Sequence, residues 1–104
     1  MVTITNAAIE KIKEEMAYHN QEKDIELFLR LGMGVGWGGP QLRLALEESA
    51  LPNDEQFEQD GIKFLVNNND KPYFNGLALD FRESWMGGGF TLVDAGGSEV
   101  GGKC

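Results

Sequence analysis

IELFLRLGMGVGWGGPQLRLALE, residues 25–47, contains two apolar alternations separated by a glycine-rich segment. Ile25, Leu27, Leu29 and Leu31 recur at every second position, and Leu42, Leu44 and Leu46 do the same after Pro40. A period of two is typical of strands, since alternate side chains point to opposite faces of a sheet. The pattern predicts two strands joined by residues 32–39, which hold five glycines.

The flanking sequence predicts one helix and further strands. Residues 4–19 place Ile9, Ile12 and Met16 at helical spacing, with Thr5 or Asn6 as the N-cap. A hairpin is predicted from strands at 56–59 and 62–66 around a turn at 60–61. Further strands are predicted at 77–82 and, after three glycines, at 90–93. Residues 67–75 are expected to form a short helix or a loop. We therefore expect an α+β fold in which the N-terminal helix packs on mixed or antiparallel β-sheets.

Length and charge limit the domain organisation and the partners. The 104 residues suffice for one core, so we expect a domain at 1–95 and a flexible glycine-rich tail at 96–104. A formal charge of −8 disfavours nucleic acid and anionic membranes as partners. We find no signal peptide or apolar span and expect a cytoplasmic protein.

The glycine-rich segment formally matches a dinucleotide-binding pattern at Gly34, Gly36 and Gly39. That pattern requires a helix N-terminus to receive the pyrophosphate, whereas Pro40 and a strand alternation follow here. Nucleotide binding is therefore disfavoured. Two interpretations remain: the glycines allow close backbone packing, or they shape a loop that a ligand or partner can approach.

Groups for catalysis and metal binding are scarce. His19, at the predicted helix end, is the single histidine, and Cys104, the last residue, is the single cysteine. No nucleophile and base form a recognisable set, so we expect no enzyme activity. The acidic residues between Glu47 and Asp60 are interpreted as a solvated rim rather than a metal site.

Large apolar side chains adjoin both glycine-rich segments. Trp37 lies in the first, and Trp85 and Met86 precede Gly87 in the second. These side chains either pack in the core or form an apolar patch for another protein.

Six segments along nearly the whole chain together form a recognisable pattern: Ile4–Ala8 with Lys11–Ile12, Leu29–Gly32 with the glycine turn and the strand to Glu48, Phe57–Ile62, Pro72–Gly76, Leu79–Phe81, and Gly89–Phe90. In their order and spacing, these segments resemble the HesB/IscA/SufA family of A-type iron–sulfur carriers. The resemblance implies a helix packed on β-sheets. It also implies a site of three cysteines, one in the glycine turn and two in a Cys-Gly-Cys tail, because thiolates suit iron.

This sequence departs from the family pattern at those cysteines. The resemblance places Trp37 at the turn position and Gly101 and Lys103 in the tail, with Cys104 one residue beyond. We therefore expect no cofactor. The resemblance suggests a non-enzymatic accessory or regulatory protein in iron–sulfur or sulfur metabolism, a monomer or weak homodimer that binds an unidentified protein.

The surface expected to contact that partner surrounds the two glycine-rich segments. Its candidate residues are Met33, Gly36, Trp37, Gly38, Gly39, Trp85, Met86 and Phe90. The alternative is an iron or iron–sulfur cluster carrier that uses Cys104 and non-cysteine ligands across a dimer.

Overall fold

A computed structural model describes residues 2–19, 26–37, 39–84 and 87–100. Within these residues, one α-helix and two four-stranded mixed sheets form the fold, which confirms the predicted α+β class. The elements are β1 (Thr3–Ile4), α1 (Asn6–His19), β2 (Phe28–Gly36), β3 (Gly39–Glu47), β4 (Asp54–Gln59), β5 (Ile62–Asn67), a 3₁₀ turn (Lys71–Phe74), β6 (Ala78–Ser84), β7 (Gly87–Val93) and β8 (Glu99–Val100). Among these residues, no helix is long and apolar enough to cross a membrane.

Both sheets are mixed. One has the order β3-β2-β5-β4, in which β2 and β5 run parallel and the other neighbours run antiparallel. The other has the order β1-β6-β7-β8, in which β1 and β6 run parallel. The predicted hairpin at 56–66 is confirmed as β4 and β5, and Asp60 and Gly61 both have positive φ in its turn.

Helix α1 packs its apolar stripe against the core. Ile9 and Ile12 are buried, and Met16 is half-buried against them, as predicted. Thr5 is the N-cap: its Oγ1 accepts the Ala8 N–H at 3.2 Å. The helix starts later than residue 4 because residues 3–4 form β1 beside β6, a pairing that only the tertiary fold provides.

The core is formed by the apolar sides of both sheets and of α1. Its fully buried side chains include Phe64, Phe74, Leu31, Leu79 and Leu92. The Gln59 side-chain amide also donates to the Ile4 carbonyl at 2.9 Å, which links the two sheets. Burial of this apolar area supplies most of the stabilisation of the fold.

Part of the predicted tail contributes to the second sheet. Glu99 and Val100 pair with β7, and the Asp94 side chain accepts the backbone N–H groups of Gly96 and Ser98. Sequence alone did not indicate this short strand. Flexibility of residues 96–104 stays a prediction, and residues 101–104 lie outside the described residues.

Candidate functional site

The glycine-rich segment lies at the end of the β2–β3 hairpin. Strand pairing extends to Gly36 opposite Gly39, so most of residues 32–39 belong to the strands and do not form a loop between them. The expectation of a long connecting segment is wrong, because glycine is compatible with extended pairing when the partner strand supplies the hydrogen bonds.

Two large apolar side chains project from this hairpin end. Val35 is 86% exposed and Trp37 is fully exposed at 107% of its reference area. Of the two interpretations of Trp37, core packing is therefore wrong. Val35 was not among the residues predicted from the sequence, although its position two residues before Trp37 in an alternating segment was a usable signal.

Close packing explains one glycine of this hairpin. A Cβ on Gly34 would lie 2.0 Å from Nε of Arg43, whose side chain crosses it from β3. Neither Gly34 nor Gly32 has a positive φ. The glycine thus permits a close approach by Arg43 and does not serve an unusual backbone conformation.

A partly buried ionic cluster fixes the base of the same hairpin. The Arg30 guanidinium donates to both Asp54 carboxylate oxygens at 2.6 Å and to Glu47 Oε2 at 2.7 Å. The Asp54 side chain is fully buried and also accepts the Leu51 N–H at 2.7 Å. These contacts connect β2, β3 and β4 across one face of the sheet.

The hydrogen bonds from Arg30 lower the pKa of Asp54 from 3.8 to about 2, against the opposing effect of burial. Asp54 and Glu47 belong to the acidic stretch interpreted as a solvated rim. That interpretation is wrong for Asp54, whose side chain is fully buried against Arg30, while Glu47 is partly exposed and also binds Arg30.

In the other hairpin, β6–β7, an aromatic ring lies close to the backbone of a glycine. A Cβ on Gly88 would lie 2.6 Å from the ring of Phe81, which meets Phe90 edge-on at 5.1 Å between ring centroids. The ammonium of Lys11 covers the Phe81 ring at 5.5 Å. Trp85 and Met86, which follow β6 in the sequence, lie outside the described residues.

A carboxylate joins this second hairpin to the helix. Asp80 accepts the Thr5 hydroxyl at 2.7 Å and the Arg82 Nε–H at 3.0 Å. Burial of Asp80 by itself would raise its pKa, but these hydrogen bonds outweigh burial and lower it. Asp80 is therefore an anchored structural anion and is not poised as a general base.

The other residues predicted to contact a partner either pack against the core, lie in the strands of the first hairpin, or fall outside the described residues. Met33 and Phe90 are half-buried and pack against the core. Phe90 also lines an apolar cleft of about 240 Å³. The other residues that line this cleft are Ile12, Glu15, Met16, Leu29, Leu44, Ala45 and Leu46. Gly36 and Gly39 form the last pair of the first hairpin. Gly38 and Cys104 lie outside the described residues. Among the candidates whose exposure the structure describes, Trp37 is the one that lies fully in solvent.

The donor set does not fit a three-cysteine iron site. Tryptophan occupies the turn at the hairpin end, and the sequence contains a single thiol. Within the described part of the chain, no three His, Cys, Asp or Glu side chains converge as metal ligands do. A three-cysteine site requires three thiolates at one point, and a chain with one cysteine cannot supply them by itself.

Known proteins are similar to this chain in sequence and in fold. A family model described as iron–sulphur cluster biosynthesis matches residues 1–97. The uncharacterised protein SufA of Bacillus subtilis (strain 168) is 38% identical over 92 residues, which cover 88% of this chain and 74% of that protein.

Two crystal structures are similar in fold. IscA with the [2Fe-2S] cluster has a TM-score of 0.76 at 24% identity, covering 91% of this chain and 86% of that one. Escherichia coli SufA, involved in biosynthesis of iron–sulfur clusters, has a TM-score of 0.69 at 26% identity, covering 89% and 84%.

The fold is therefore that of the IscA and SufA structures, an α+β arrangement of one helix and two mixed sheets. The chain belongs to the iron–sulphur cluster biosynthesis family. Its resemblance to the HesB/IscA/SufA proteins is confirmed.

Proposed function

We propose that this protein acts in iron–sulfur cluster biosynthesis as a non-enzymatic, partner-binding member of its family that has lost the three-cysteine cluster site. The observation that carries the proposal is Trp37. It stands at the hairpin position where the resemblance implies a cysteine, and it is fully exposed. A tryptophan cannot ligate iron, but it is among the residues that contribute most to protein interfaces.

The energetics favour a protein contact at this position. A tryptophan buries about 200 Å² in a contact, which corresponds to a gross gain of about 5 kcal/mol. Val35 lies on the neighbouring end of β2 and is also exposed, so the two side chains form a small apolar surface. We name Val35 and Trp37 together the hairpin-end patch.

The strands below hold this patch in place. Residues 28–36 of β2 pair in register with residues 47–39 of β3, and Arg30 binds Asp54 and Glu47 at the base. A contact surface held by paired strands loses less conformational entropy on binding than one on an irregular loop. The family membership supports a partner that assembles, carries or receives iron–sulfur clusters.

Site-specific photocrosslinking in the source cells tests the proposal. A photoreactive phenylalanine analogue at position 37 should form an adduct with a protein of cluster assembly, and Trp37→Ala should abolish recovery of that protein with the tagged chain. Tyr73 is the matched control, since it is another exposed aromatic, 53% accessible, in the 3₁₀ turn. Equal adducts from positions 37 and 73, or undiminished recovery by a folded Trp37→Ala variant, would contradict the proposal.

A further inference from the structure

Arg43 is an exposed arginine without a carboxylate partner. The chain contains three arginines, and the other two, Arg30 and Arg82, both form ion pairs with carboxylates. Within the described part of the chain, no ion pair or hydrogen bond uses the Arg43 side chain. The sequence has 17 acidic and 9 basic residues, so carboxylates are plentiful, and yet none reaches this guanidinium. Arg43 can therefore accept a carboxylate from outside the chain.

The Arg43 side chain is held in place by the backbone beneath it. In the β2–β3 register Arg43 lies opposite Gly32, yet a Cβ on Gly34 would clash with its Nε and lie 2.8 Å from Cδ and 2.9 Å from Cζ. The head group thus fills the space of a side chain at Gly34, two residues nearer the hairpin end. Packing of this kind reduces the side-chain freedom that the guanidinium loses on binding.

The same lean brings Arg43 close to the hairpin-end patch. Gly34 is adjacent to Val35 and precedes Trp37 by three residues, or about 10 Å at the rise of a strand. An interface of ordinary size covers about 800 Å² on each protein, which is about 30 Å across. Residues 31–42 contain no charged side chain, so Arg43 is the first charge beyond the hairpin end along β3. A partner that covers Trp37 therefore also reaches Arg43.

We propose that Arg43 binds an Asp or Glu side chain of the partner protein, while Trp37 enters an apolar pocket beside it. This inference rests on the proposed function and describes the partner's contact surface by its chemistry: an apolar pocket with one carboxylate at its rim. The planar guanidinium donates two parallel N–H···O bonds to a carboxylate. Burial of the neighbouring tryptophan excludes water from this pair, which strengthens it.

The charges around Arg43 favour a carboxylate over a phosphate. The Asp70 Oδ2 would lie 3.5 Å from a Cβ on Gly32, the glycine opposite Arg43. This neighbouring anion repels a doubly charged phosphate about twice as strongly as a singly charged carboxylate. The formal charge of −8 on the whole chain acts in the same direction at longer range.

The first test measures recovery, with the tagged chain, of the protein that the photoreactive analogue at position 37 captures. Arg43→Glu should lower this recovery at least about tenfold, and Arg43→Gln should lower it less, because Gln removes the charge without adding repulsion. Gly34→Ala keeps the charge but displaces the guanidinium, so it should also lower recovery. The matched control is Lys13→Glu on the exposed side of α1, which changes the net charge equally and should leave recovery unchanged. Far-UV circular dichroism checks that each variant is folded.

The second test identifies the carboxylate directly. Arg43→Lys places a primary amine at position 43, and a water-soluble carbodiimide joins an amine to a touching carboxylate as an amide, with the elements of water passing to the carbodiimide. We expect an amide between position 43 and an Asp or Glu of the captured protein, located by tandem mass spectrometry. The native Lys13 provides the matched control in the same sample and should form no such link.

The outcomes separate this inference from the proposed function. Recovery that depends on Trp37 but is unchanged by Arg43→Glu, or is lowered equally by Lys13→Glu, would overturn the Arg43 contact and leave the proposed function standing. Links from position 43 that are no more frequent than those from Lys13 would do the same. Absence of any specific adduct at position 37 would overturn both.

Discussion

Replacing Asp54 by Asn tests the buried cluster that holds the base of the β2–β3 hairpin. The side chain of Asp54 is fully buried and receives two hydrogen bonds of 2.6 Å from Arg30. Asn is of similar size but neutral, so Asp54→Asn leaves Arg30 with Glu47 as its remaining carboxylate. Removing one member of a buried ion pair costs about 3–5 kcal/mol. Because Arg30 retains Glu47, we expect a loss of about 2–3 kcal/mol in the free energy of unfolding.

The pKa of Asp54 gives a second estimate of that magnitude. A fall from 3.8 to about 2 on folding corresponds to about 2 kcal/mol. Since the folded-state pKa is the lower one, this contribution is complete above pH 4 and is lost as the pH falls from about 4 to about 2. The stability difference between wild type and Asp54→Asn should therefore shrink over that range.

The assay is urea unfolding followed by far-UV circular dichroism at several pH values from 7 down to about 2, which covers the window set by the two pKa values of Asp54. The matched control is Glu58→Gln, an exposed carboxylate on the same strand, which should change stability by less than about 0.5 kcal/mol. An equally small effect for Asp54→Asn at pH 7, or a difference that does not vary with pH, would refute the reasoning.

Two further predictions concern the second hairpin and its junction with α1. Gly88→Ala should destabilise the fold by about 1–3 kcal/mol in urea unfolding, because the added Cβ would lie 2.6 Å from the Phe81 ring. An unchanged urea midpoint would show that the ring moves aside freely. Thr5→Val should cost about 1–2 kcal/mol through loss of the N-cap and of the hydrogen bond to Asp80, while Thr5→Ser should restore most of it; equal losses from both variants would assign the effect to packing.

Much of this fold follows from local sequence patterns. The alternating leucines indicated β2 and β3, and the Asp60–Gly61 turn located the β4–β5 hairpin. Strand β1 was not predictable, because two residues become a strand only when β6 lies beside them. The extension of β2 through its glycines was not predictable either, because it depends on pairing with β3.

The site was less predictable than the fold. The sequence identified Trp37 but left its exposure open, since a tryptophan beside glycines suits a core and a surface equally. The Arg30 cluster was missed because its members lie 17 and 24 residues apart along the chain. Long-range pairings of this kind depend on sheet order, which the alternation pattern does not specify.

Anaerobic reconstitution with iron and sulfide tests most directly the claim that this family member has lost the three-cysteine cluster site. The protein offers one thiol in its whole sequence, so we predict a colourless product without stoichiometric iron or acid-labile sulfide. A brown protein with stoichiometric iron and sulfide, whose visible absorption disappears in Cys104→Ser, would contradict the account and establish the carrier alternative.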